Sequence, residues 1–190
     1  SLKDAKTGKN LFSSPDGKTN ALAGQFIAGM MEIVPEAFAM CTSTVNAYRR
    51  LAPGSWAPKS LTWAEHPFTV AVRSAPHAGP SARLEFRVPP ADCNTYLTMA
   101  MMLGAGLDGI ERGLAAPPAT LSGGPDHVPD GAQRFPRDLA EAADRMAASA
   151  TVRRIWGDAF TDNFVAACRA EYASLAKAVS AEERARYLEA

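Results

Sequence analysis

At 190 residues the chain is long enough to bury a hydrophobic core, and twenty basic against twenty acidic side chains leave no net charge to draw it to nucleic acid or another polyanion. Cys41, Cys93 and Cys168 form no CxxC pair and have no metal-ligand spacing, so they read as reduced thiols. Every apolar stretch is broken well short of the ~20 residues a membrane helix needs, and the expected setting is the cytoplasm, with neither nucleic acid nor membrane as a partner.

Residues 4–18 are rich in Gly, Ser, Lys and Asp and include the turn Pro15-Asp16-Gly17, which predicts an exposed hairpin-like loop. From Leu22 to Met40, Phe26, Ile27, Met30, Met31, Val34 and Phe38 recur at helical spacing, with Pro35 expected to kink or split the helix. Arg49 to Pro58 holds Pro53, Gly54 and Pro58 and reads as a shaped loop. Ser60 to Glu65, Thr69 to Ser74 and Arg83 to Val88 alternate apolar and polar residues and predict three strands of one antiparallel sheet, with turns at His66-Pro67 and Pro76 to Pro80. Asn94 to Leu114 is a long helix, hydrophobic nearly all round at Met99 to Leu103 and therefore expected deep in the core, where Gly104 and Gly106 allow close approach. Ala115 to Pro136, with Gly123-Gly124-Pro125 at its centre, reads as a surface excursion. Amphipathic helices close the chain: one capped by Asp138 and running to Ala150, one capped by Thr161 or Asp162 and running to Val179, and one opened by Ser180, with Glu183 at capping-box spacing, as part of a solvated outer layer.

The chemistry concentrates in Arg83-Leu84-Glu85-Phe86-Arg87. Strand alternation sets Arg83, Glu85 and Arg87 on one face and turns Leu84 and Phe86 towards the core. A carboxylate between two guanidiniums stays ionised and can ligate a divalent cation, while the arginines grip carboxylate or phosphate oxygens bidentately. Taken alone, the same five residues also fit a surface ladder of salt bridges. Met99, Met101 and Met102 read as core, and His66, His77 and His127 have no partner at ligand spacing.

Longer motifs frame this strand. They are Gly8-Lys9-Asn10-Leu11-Phe12, then Asn46-Ala47-Tyr48-Arg49-Arg50-Leu51-Ala52-Pro53-Gly54-Ser55-Trp56-Ala57-Pro58, Asp92-Cys93-Asn94-Thr95-Tyr96-Leu97, Gly104-Ala105-Gly106-Leu107-Asp108-Gly109-Ile110, and Phe160-Thr161-Asp162-Asn163-Phe164. In order and spacing, over essentially the whole chain, they resemble the glutamine synthetase family. The resemblance implies an α+β fold, an antiparallel sheet flanked by helices, of the glutamine synthetase/guanido kinase-like kind. Residues 1–190 would be the C-terminal part of that catalytic domain, with the N-terminal β domain and the first half of the catalytic domain absent.

The resemblance further implies an ATP-dependent ligase that forms a γ-glutamyl amide from glutamate and an amine through γ-glutamyl phosphate, with Mg2+ or Mn2+, in a ring-type homo-oligomer of the full-length parent. Residue by residue, Arg50 and Arg87 match arginines that bind glutamate, Arg50 and Arg73 match catalytic arginines, and Ser1, Arg73 and Arg83 match ATP contacts. Glu85 matches a metal-binding glutamate. Two positions depart from the pattern. Trp56 replaces the glutamate that serves ammonia-using members, which removes a carboxylate, adds an apolar wall at the amine site and points to a larger amine. Phe68 falls where an arginine near the γ-phosphate is expected, a loss that would weaken phosphoryl transfer by about several kcal/mol if nothing replaced it. Three readings therefore stand: an amine or polyamine γ-glutamyl ligase, an ordinary glutamine synthetase using ammonia, and an inactive relative kept for assembly or regulation. The 190-residue chain by itself is expected to be inactive, because one metal carboxylate is not a coordination set.

Overall fold

In the computed structural model, residues 1–66, 68–120 and 126–188 are described. Pro67 of the expected His66-Pro67 turn and the Gly123-Gly124-Pro125 turn lie outside them. Helix α1 (Ala21–Ile33) starts at Asn20, whose side chain accepts from the Ala23 amide, and stops before Pro35. A short 3-10 turn, Phe38–Met40, continues the direction of burial, so Pro35 splits the predicted element as its missing N–H requires. A second 3-10 segment, Val45–Leu51, capped by Thr44, leads into the loop 52–59.

The strands are shorter than expected and pair differently. β1 (Ser60–Leu61) pairs antiparallel with β5 (Gln133–Arg134), which lies inside the predicted surface excursion. That stretch is also strapped down by Trp63, whose Nε1 donates to the Pro117 carbonyl at 2.7 Å and whose carbonyl accepts from the Thr120 amide at 2.8 Å. β2 (Trp63–Glu65), β3 (Val72–Ala75) and β4 (Arg83–Phe86) form the second sheet in the order β2-β3-β4. β3 and β4 are antiparallel as expected, but β2 runs parallel to β3. Alternation of apolar and polar residues is the same for both directions, so the pattern could not distinguish them.

Helix α2 (Thr95–Glu111) is capped by Asn94, which accepts from the Tyr96 and Leu97 amides. It crosses α1 at van der Waals contact. A methyl group at Gly109 would sit 2.2 Å from the Gln25 carbonyl oxygen, one at Gly29 would sit 2.0 Å from that of Ala105, and one at Gly106 would sit 2.2 Å from the Phe26 ring. The expected close approach at Gly104 is present too, against Trp156 at 2.7 Å. The helix is not buried all round, however: Tyr96, Met99, Leu103 and Leu107 are exposed and form one apolar side.

Helix α3 (Leu139–Ala148) begins at its Asp138 cap as predicted, and α4 (Ala150–Trp156) follows at once from Ser149, whose hydroxyl accepts from the Val152 amide and donates to Glu36. α5 (Asp158–Leu175) starts earlier than Thr161 or Asp162. Gly157, at φ +83°, makes the turn between α4 and α5 that a side chain would resist, and Thr161 lies buried inside the helix, donating to the Gly157 carbonyl. α6 (Ala181–Tyr187) carries the predicted Ser180–Glu183 capping box and buries none of its residues. The core joins α1, the Phe38–Met40 turn, α2, β3, α3 and α5 around Ile27, Met30, Phe38, Met101, Leu139 and Met146, all fully buried.

Candidate functional site

The antiparallel register sets Arg73 of β3 directly opposite Glu85 of β4. Cross-strand partners on one face lie within side-chain reach, and here they close: Arg73 Nη1 donates to both Glu85 oxygens at 3.0 and 2.9 Å. Arg83 adds a second fork, with Nε 2.9 Å and Nη2 2.7 Å from Glu85 Oε1. The carboxylate is therefore held between two guanidiniums, as the pentapeptide implied, but the second is Arg73 rather than Arg87. Hydrogen bonds from Arg73, opposed by partial burial and helped by Arg83, hold the Glu85 carboxyl below its ordinary pKa. Arg73 is itself oriented through Nε, which donates to the His66 carbonyl at 2.9 Å.

Arg87 follows the end of β4, its amide donating to the Ala71 carbonyl. Its Nη1 is buried and has no hydrogen-bond partner among the described residues. Burial lowers the guanidinium pKa; Glu85 counters that, and Arg50 and Arg73 reinforce it. Arg50 reaches the same corner from the segment Val45–Leu51, donating from Nη1 to the Val88 carbonyl at 2.7 Å and from Nη2 to the Arg87 carbonyl at 3.2 Å. It braces the backbone of Arg87 and keeps its remaining donors.

The loop bearing Trp56 is tied to Arg50. Ser55 Oγ donates to the Arg50 carbonyl at 2.6 Å, and Lys59 Nζ donates to the Ala52 carbonyl at 2.6 Å and to Ser55 Oγ at 2.5 Å. Gly54 donates its amide to Asp126. Trp56 stands out of this pinned loop, 72% exposed. Ser1 donates its hydroxyl to the Ala82 carbonyl at 2.7 Å, next to Arg83, and borders an apolar groove of about 150 Å³ shared with Leu84, Met99 and Leu103. Phe68, whose phenyl group stands in place of the expected cation, lies over Arg73 and Arg87, with their Cζ atoms 4.3 and 5.6 Å from its ring centroid.

Arg73, Arg83 and Glu85 are thus joined by ion pairs, Arg50 is bonded to the backbone of Arg87, Ser1 is bonded beside Arg83, and Trp56 stands exposed on the loop tied to Arg50. Three roles were not read from the sequence. Lys59 falls between the loop read as Arg49 to Pro58 and the strand read from Ser60, and its role as a clamp on the loop was not read. Phe68 was read as a loss and not as a contact. The buried Asp108 accepts from Arg154 Nη2 at 2.7 Å and Arg112 Nη1 at 3.0 Å, while Arg112 also reaches Glu32 at 2.6 Å. A lone acid inside an apolar helix was its signal. Burial raises the pKa of Asp108, but Arg154 and Arg112 outweigh it and the carboxyl stays below its ordinary value.

No group of three or more His, Cys, Asp or Glu among the described residues could hold a metal ion. Both oxygens of Glu85 are engaged by arginines, so the described residues do not present a fitted site for Mg2+ or Mn2+. Two guanidiniums, Arg73 and Arg83, engage the one carboxylate, and those of Arg50 and Arg87 lie at the end of the same strand.

The molecule is an α+β domain that carries a cluster of arginines on and beside its strands. The family model for the glutamine synthetase catalytic domain matches residues 1–187, and the chain belongs to that family. It is 36% identical over 188 residues to type-1 glutamine synthetase 2 of Dictyostelium discoideum, covering 97% of this chain and 36% of that protein. It is 32% identical to the glutamine synthetase of Methanocaldococcus jannaschii, covering 95% of this chain and 42% of that protein. The chain thus spans about two fifths of the length of these relatives. Among solved structures, GmaS without ligand superposes with a TM-score of 0.78 at 28% identity, over 97% of this chain and 42% of that one. GmaS in complex with ADP gives the same TM-score at 30% identity, over 97% and 44%. The α+β fold, with one small antiparallel and one small mixed sheet, is accordingly that of the C-terminal part of this catalytic domain. No helix of the described residues is long and apolar enough to cross a membrane.

Proposed function

We propose that this chain is the C-terminal portion of an ATP-dependent ligase that joins the γ-carboxylate of glutamate to an amine other than ammonia. The observation that carries this reading is Arg87, a half-buried arginine whose Nη1 is buried and unengaged, near a carboxylate already shared by Arg73 and Arg83. A cation kept in this state is suited to a carboxylate or phosphate oxygen from a ligand. On this reading Arg87, with the remaining donors of Arg50, orients glutamate, while Arg73, Arg83 and Ser1 face the nucleotide. The ADP held by GmaS supports a nucleotide substrate. A γ-carboxylate oxygen bonds to the γ-phosphorus of ATP and ADP leaves; the amine nitrogen then bonds to the acyl carbon, phosphate leaves, and the amine gives up a proton. Positioning and charge neutralisation supply most of such a rate enhancement.

A divalent metal, which the family implies, would need carboxylates from outside this chain, and Glu85 would have to release an arginine to join them. The ring-type homo-oligomer and the upstream β domain belong to the same proposal for the full-length polypeptide. Trp56 supports an amine larger than ammonia, since an exposed indole offers an apolar wall and no proton acceptor. One observation favours a second reading, an inactive assembly or regulatory relative: Glu85 is fully paired within the chain.

Phosphate release by the full-length polypeptide with ATP, glutamate, and either ammonia or a panel of alkyl amines and polyamines separates these readings. We expect turnover to favour a carbon-bearing amine over ammonia, and Trp56→Glu to raise ammonia use about tenfold or more. Preference for ammonia in the wild type would return the protein to ordinary glutamine synthesis. Absence of turnover with every amine would leave the inactive relative.

A further inference from the structure

The face shared by β3 and β4 carries Arg73, Arg83, Glu85 and Arg87. Two of its three cations are matched, because Glu85 receives Arg73 on both oxygens and Arg83 on one. Arg87 is not matched, although its Nη1 is buried. Burying one guanidinium nitrogen without an acceptor, near other guanidiniums, is unfavourable both by desolvation and by repulsion. What faces it is an aromatic ring. Phe68 lies within the ~6 Å reach of a cation–π contact for both Arg73, at 4.3 Å, and Arg87, at 5.6 Å. Phe68 is 57% exposed, so burial gives a weak account of where the ring sits, and the two cations give a strong one.

We propose that Phe68 is a positioning residue of the oxyanion site: its π face stands over both guanidiniums in place of a counter-ion and holds Arg87 with an inner nitrogen left for a carboxylate or phosphoryl oxygen. The choice of a ring has a specific chemical sense. A carboxylate at position 68 would occupy the donors that the ligand needs, and a cation would add to the repulsion. A phenyl group attracts cations yet accepts no strong hydrogen bond, so the donors stay directed at the ligand. This inference rests on the reading of Arg87 as a ligand-binding cation.

The test uses the purified chain with labelled arginines. In the wild type, the Nε–Hε signals of Arg73 and Arg87 are expected to be displaced upfield by the ring current of Phe68. Phe68→Leu abolishes the displacement and Phe68→Trp restores it. Titration with inorganic phosphate and, separately, with L-glutamate, followed on the Arg87 signal, identifies a phosphoryl or a carboxylate occupant by which probe it answers. Affinity for that probe is expected to fall about tenfold in Phe68→Leu and to return to within about twofold in Phe68→Trp. The proposal is overturned by equal displacements or equal affinities in the wild type and Phe68→Leu, and equally by an Arg87 signal that answers neither probe. A normal Arg87 response combined with no phosphate release by the full-length polypeptide would remove the ligase reading and leave this one intact.

Discussion

Glu141 shows at the scale of one residue how carboxylates here are tuned by donors more than by burial. The Arg137 amide donates to it at 3.0 Å, Arg137 Nε at 3.0 Å and Arg145 Nη2 at 2.7 Å. The backbone donor contributes most; burial opposes it, the two arginine side chains add to it, and the carboxyl is pushed down from 4.5 to about 2. A carboxyl with a depressed folded-state pKa contributes stability that is complete above its unfolded value and is lost as pH falls through the folded one. Glu141→Gln is therefore expected to flatten the loss of stability between about pH 4.5 and about pH 2, measured by urea unfolding at a series of pH values. A wild-type and a variant curve that fall in parallel over that interval would show that the hydrogen bonds do not persist in solution. Exposure of Arg137, at 88% of its side chain, keeps the effect modest.

At the scale of elements, the crossing of α1 and α2 depends on the absence of side chains. Gly109→Ala places a methyl group 2.2 Å from the Gln25 carbonyl oxygen and 2.7 Å from the Gly29 amide nitrogen, and these are backbone atoms that no rotamer change can move. We expect a loss of about 3 kcal/mol, at the upper end of overpacking, read as a lowered urea midpoint with an unchanged m-value. A midpoint within error of the wild type would mean that the helices cross less closely. Close approach on α2 was legible at Gly104 and Gly106, although Gly104 meets Trp156 of α4 and the contact of Gly109 with Gly29 was not read; the caps at Asp138 and Ser180 were legible because each depends on residues close in the chain. What local order does not contain was missed. The partner of Glu85 is set by strand register, which places Arg73 rather than Arg87 across from it. The start of α5 is set by a positive φ at Gly157 and not by the threonine or aspartate that looked like a cap. The exposure of Met99 and Leu103 depends on what covers an apolar helix side, and periodicity reports only that the side is apolar.

For the molecule as a whole, the exposed side of α2, with Tyr96, Met99, Leu103 and Leu107, and the groove bordered by Ser1 and Leu84 leave apolar surface next to the arginine cluster. The cluster itself supplies cations in excess and one carboxylate that is already paired. Among the described residues, nucleotide binding that depends on a divalent ion therefore lacks a set of coordinating carboxylates. Isothermal calorimetry of the purified chain with Mg-ATP is expected to show no micromolar site, and a dissociation constant in that range would contradict the reading of the chain as one part of the catalytic unit.

The parallel pairing of β2 and β3 bears on how this face can diverge. Parallel neighbours usually need a connection of about a dozen residues or more. Here residues 66–71 join them. With so little slack, the length of that return decides where Phe68 lands on the sheet. One inserted residue would advance the chain by about 3.3 Å and turn the following side chain to the opposite face. Insertions and deletions between Glu65 and Val72, more than point substitutions within them, are therefore the changes by which the ring would be lifted off its two cations.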